Sequence, residues 1–77
     1  MKYLIRREVS ISVPPTYIGV DSALMDYSDK DFEELKRKNA FDDLKKAKSL
    51  MNYLKEESLK LKVNAHFSIV SVEEAIA

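Results

Sequence analysis

Apolar and polar side chains alternate through residues 3–13, and the pattern stops at Pro14-Pro15. Tyr3, Ile5, Val9, Ile11 and Val13 fall on one face of such a run. Lys2, Arg6, Glu8, Ser10 and Ser12 fall on the other, with Arg7 and Leu4 the two exceptions. A period of two, rich in β-branched residues, predicts a half-buried strand. The prolines end it, because neither can donate to a ladder. A strand apolar on one face needs a covering layer and a pairing partner, and the rest of the chain must supply both.

The run "TYIGV" offers the partner. With Ser12 and Tyr17 closing a turn over residues 13–16, Ile11 faces Ile18, Val9 faces Val20 and Ile5 faces Leu24. A slip of one residue would put these on opposite faces, so the parity of the hairpin is well specified. Gly19, the one glycine, reads as a bulge or an edge position; close approach of another backbone is the alternative.

The covering layer reads as a helix. Ser28, followed by Asp29 and Asp31, resembles a capping box, and Glu33 and Glu34 suit the positive end of a helix dipole. Asn39 and Asp42 offer a second start, with a break near residues 38–40. Leu44, Ala47, Leu50, Met51, Leu54 and Leu61 then recur at spacings of three and four, a core-facing stripe. Phe41 lies off that stripe. "LKLKV" fits either a last helical turn or a short strand. "HFSIVSV" reads as a strand with Phe67 and Ile69 on one face and Val70 and Val72 on the other. "EEAIA" closes the sequence as a fraying tail.

The expected fold is a single α+β domain spanning residues 1–77. It holds a three-stranded antiparallel sheet in order 2-1-3 (β-β-α-β) with one long or broken helix packed on one face. A chain of 77 residues buries only about 60% of its unfolded surface. It holds no cysteine, so disulfides, thiolate metal sites and thiol catalysis are excluded.

Six of the thirteen basic residues crowd into residues 35–50, which raises the question of nucleic-acid binding. Thirteen acids balance those bases to a formal net charge of zero, whereas a nucleic-acid binder normally carries a basic excess. Acids also precede bases by four residues at Glu33-Arg37, Glu34-Lys38, Asp42-Lys46 and Glu56-Lys60, the favourable orientation on a helix. Lys48, Lys55 and Lys62 lack such partners and line one edge of the apolar stripe, where their stems cover core residues. With Arg37 they form the alternative nucleic-acid contact. The solvated-helix reading is preferred.

Nothing here forms a catalytic signature, a metal site or a cofactor site. His66 stands alone and reads as an edge residue. No serine lies in a G-x-S-x-G elbow, and the carboxylate pairs are adjacent in sequence and diverge on a helix. One glycine cannot build a phosphate loop. The first residues lack the apolar run of a signal peptide, and no stretch reaches membrane-spanning length. These features suggest a soluble, cytoplasmic, non-enzymatic protein.

"MKYLIRREVS", "FDDLKKAKSLMNYL" and "HFSIVSVEEAI" together resemble small proteins encoded by bacteriophages and prophages of Gram-positive bacteria. That resemblance implies action by binding a host or defence protein rather than catalysis. With one helix available, one sheet face stays open, and its Leu4, Arg6, Glu8 and Tyr17, beside Asp21, have an interface-like composition. The first reading is therefore a protein-binding module using those four residues or a free strand edge. A homodimer or larger assembly through the same face is the other structural reading, and near-zero net charge tolerates it.

Overall fold

A computed structural model describes residues 1–20 and 33–76. The elements run β1 (Tyr3–Glu8), β2 (Thr16–Ile18), α1 (Glu33–Lys38), α2 (Leu44–Lys60), β3 (His66–Ser71) and α3 (Val72–Ile76). The three strands form one antiparallel sheet in the order β2-β1-β3, as the sequence predicts. The expected pairing with Leu24, the position of Asp21 and the capping box at Ser28, Asp29 and Asp31 lie outside the described residues.

The hairpin keeps its predicted parity but not its register. Ile5, not Ile11, pairs with Ile18, and Arg6 pairs with Tyr17. The cause is local. Ser10 Oγ accepts from Ser12 N at 3.2 Å and lies 2.9 Å from Ser12 Oγ, while Val13 N donates to Ser10 O at 3.3 Å. Serine side chains offer the backbone an alternative to the ladder, so β1 ends at Glu8 and residues 9–15 become a loop. Val9, Ile11 and Val13, predicted to face inward, are exposed, Ile11 completely so.

Successive residues of β1 point to opposite faces, and both faces are covered. On one, Ile5, Ile18 and Phe67 pack with Phe41 and Ala47, joined by Leu50, Met51 and Leu54 of α2. Leu44 and Leu61 of the predicted stripe are exposed instead, since they lie at or beyond the helix ends. On the other face Leu4 and Tyr17 pack with Ala40, Val72 and Ala75, flanked by Leu35, Val70 and Ile76. The second layer is α1 and α3. One helix on one face is thus corrected to helices on both.

The break that makes this possible falls where the sequence places it. Asn39 N–H and its side-chain amide both donate to Leu35 O, at 2.9 and 3.1 Å, which ends α1. Phe41 then exchanges two backbone hydrogen bonds with Tyr3, at 2.9 and 2.7 Å, and extends the sheet edge beyond β2. Asp43, rather than Asp42 or Asn39, caps α2, its carboxylate accepting from Lys45 N at 2.8 Å. Gly19 is not a bulge. It lies just past β2, where a Cβ would collide with the Asn39 carbonyl. Val20 N donates to that carbonyl at 2.7 Å, so the close-approach alternative is the one found.

"LKLKV" is a helix end. Lys62 N donates to Leu59 O at 3.2 Å and Val63 N to Ser58 O at 2.9 Å. These two bonds around a left-handed Lys62, at φ 58°, make a Schellman motif with lysine where glycine is usual. The expected fraying tail is instead α3, whose Glu74 N donates to Ser71 Oγ at 3.2 Å. Val72 N continues the ladder to Lys2 O at 3.1 Å.

One of the crowded bases is not solvated at all. Lys36 is 2% exposed. Its ammonium donates to Ala75 O at 3.1 Å, at the C-terminal end of α3, and lies 4.7 Å from the centre of the Tyr17 ring. A cation suits both the negative end of a helix and an aromatic face, so Lys36 ties α1, α3 and β2 together.

Candidate functional site

Leu4, Arg6, Glu8 and Tyr17 do share one sheet face, as their alternation requires. The face is not open. Leu4 is fully buried and Tyr17 lies beneath Lys36, both under α1 and α3. The helix break sends α1 back across this side, and α3 closes over it. Arg6 and Glu8 stay half-buried beyond the helices, with Arg6 Nε 3.2 Å from Glu8 Oε1. That contact is an ion pair without hydrogen-bond alignment, because Arg6 Nε has no hydrogen-bond partner. Opposite them on β3 stand Ser68 and His66. Of the four predicted residues, two remain available.

The basic set is divided more completely. Arg37 lies on α1, where it meets Glu33 at 3.6 Å and Glu73 at 3.9 Å. Lys48 and Lys55 are exposed on α2, across the sheet from α1. Lys62 has left the helix for the following turn. No single surface holds all four. Of the predicted acid–base pairs, Glu33-Arg37 forms, Lys60 meets Glu57 at 3.6 Å instead of Glu56, and Asp42 meets Lys2 at 3.5 Å. Asp42 precedes α2, so a four-residue spacing there does not bring it onto the helix face.

What the sequence did not single out is the end of the sheet where β1 stops and β3 starts. Glu8 and His66 form the last pair of that ladder. A shallow cleft of about 270 Å³ runs between them and Val9, Ser10, Ile11 and Asn64. A second, of about 250 Å³, lies under Leu59 and Val63 and shares Asn64 and His66 with the first. Around these two clefts the side chains of Val9, Ile11, Leu59 and Val63 stand exposed, with Leu59 at 78%. The sequence contained a signal for both sides of this patch. Ser-Ile-Ser before Pro-Pro favours a serine-capped turn over a strand, and "LKLKV" loses the helical period after Lys60.

An apolar rim around a polar notch can grip another surface. Glu8 is held by Arg6, and among the described residues no hydroxyl hydrogen-bonds to His66. Nor, among them, do three histidine, aspartate or glutamate side chains gather as a metal site would require. No described helix is long and apolar enough to cross a membrane. Set against known proteins, the chain matches no family model, no curated protein and no solved structure.

Proposed function

We propose that the chain is a small non-enzymatic protein-binding module whose contact surface is the apolar end formed by residues 9–11 and 59–66. The observation that carries this reading is the exposure of Val9, Ile11, Leu59 and Val63 together on the walls of two adjoining clefts. Exposed apolar side chains are unremarkable singly, but a contiguous group rimmed by polar residues is the usual mark of an interaction site. Here Glu8, Asn64 and His66 line the clefts between the apolar side chains. A partner would set a polar group among them and cover the apolar residues around it. Action as an inhibitor or modulator of a host protein follows from the resemblance to phage proteins and rests on that alone.

The test is affinity capture with tagged protein from host lysate at physiological salt, with and without nuclease, beside the Ile11→Asp and Leu59→Asp variants. Both positions are exposed, so the fold tolerates the change. The expected result is one nuclease-resistant protein retained by the wild type and lost from both variants. Equal retention by the variants would move the contact elsewhere. A capture abolished by nuclease would favour the nucleic-acid reading.

A further inference from the structure

The outer edge of β3 bears a pattern that fits a copy of itself. Val72 N bonds to Lys2 O, which fixes residues 2 and 72 as a hydrogen-bonded pair. Antiparallel pairs alternate between bonded and non-bonded, so Leu4–Val70, Arg6–Ser68 and Glu8–His66 are bonded pairs as well. The N–H and C=O groups of Phe67, Ile69 and Ser71 must then point away from β1. On the other side of β1 the same alternation is visible, since Tyr3 turns its N–H and C=O to Phe41. Apart from the Ser71 carbonyl, which accepts the first bond of α3, no described residue bonds to the outward backbone groups of β3.

Proteins usually guard such an edge with a charge, a proline, a bulge or a very short strand. His66–Ser71 has none of these. It runs six residues in an unbroken ladder and contains no lysine, arginine, acid, proline or glycine.

We infer that a second copy of this chain adds to this edge, antiparallel, about a two-fold axis at Ile69. In that register Ile69 pairs with its own counterpart, and Phe67 pairs with Ser71 in both directions. All three outward N–H groups of each copy are used, with the free carbonyls of Phe67 and Ile69, while the Ser71 carbonyl, which also accepts the first bond of α3, is shared. A shift of two residues either way keeps a two-fold axis but leaves one outward residue of each copy unpaired, so the register centred on Ile69 pairs the most groups. It closes on itself as a two-fold interface should. Phe67 and Ile69 of the two copies adjoin on the α2 side, and Ser68 meets Val70 of the other copy on the opposite side. α3 turns the chain out of the sheet at Val72, which limits the interface to these six residues. Zero net charge opposes none of this. The seam meets the apolar end only at His66 and Phe67, which line the second cleft, and Ile11 lies outside it.

Sedimentation velocity of the full chain over a concentration series tests the inference. The wild type is expected to pass from 8.9 kDa to twice that mass. Ile69→Pro removes an outward N–H and no bond to β1, so it should stay monomeric with an unchanged circular dichroism spectrum. Ser68→Glu stands diagonal to its counterpart across the axis, so the two new carboxylates repel and should weaken the dimer in low salt. If Ile69→Pro fails to fold, Ser68→Glu decides. Ile11→Asp should leave dimerisation intact. A wild type monomeric throughout the series overturns the inference, as does a dimer unaffected by Ser68→Glu or one dissolved by Ile11→Asp.

Discussion

Lys62 holds a left-handed backbone that its side chain disfavours, at φ 58°, because two hydrogen bonds ending α2 require it. A β-carbon in that region costs about 1 kcal/mol or more, whereas glycine adopts it freely. Lys62→Gly is therefore expected to stabilise the fold by about 1 kcal/mol, less what glycine adds to the freedom of the unfolded chain. Thermal denaturation should show a rise of up to roughly 4–8 °C for a domain of this size. An unchanged or lower midpoint would mean that the lysine stem covers apolar surface worth keeping. Gly19 is the opposite case, a glycine that the Asn39 carbonyl makes necessary rather than its own dihedral angles. Lys36 shows how far a charge count can mislead. Among its exposed neighbours Arg37 and Lys38 nothing in the sequence distinguishes it, and only the arrival of Tyr17 and α3 makes it a core residue.

At the scale of elements, what was legible followed from periodicity, and what was missed followed from side chains that compete with it. The strands, their order and the break after Lys38 could all be read, since each rests on several residues in agreement. The hairpin register could not. Ser10 and Ser12 fit the alternation as well as any strand residue, yet their hydroxyls fold the loop early. α3, by contrast, carries a signal in the sequence. Ser71-Val-Glu-Glu74 has the spacing of a capping box, and Ser71 Oγ does accept from Glu74 N. Ser71→Ala is expected to cost about 1 kcal/mol, the usual value of a lost cap. Chemical denaturation should register it as a lower midpoint with an unchanged slope. A loss well below that would mean that burial of Val72 and Ala75 holds α3 without its cap. The candidate site suffered most from these misses. Its predicted face was covered by α3, and its actual apolar end lay in a loop read as strand.

On the scale of the whole molecule, one strand carries everything. Leu4 reaches into one apolar cluster and Ile5 into the other, so β1 is the wall between two small cores. Neither core is closed without residues from near the far end of the chain: Phe67 for one, Val72 and Ala75 for the other. The two should therefore melt as one. Amide hydrogen exchange is expected to give Leu4, Ile5 and Val70 the same opening free energy, equal to that of global unfolding. Distinct values on the two faces would show that the layers come apart separately.

The pairing of Tyr3 with Ser71 also bears on how the molecule comes into being. The central strand is made before β3, so its longest ladder must wait for residues 66–71 to emerge. Closing so large a loop is slow, since the entropy of closure must be met before the contact stabilises anything. Until then Leu4 and Ile5 have no complete shelter. This fold cannot close until β3 has been made.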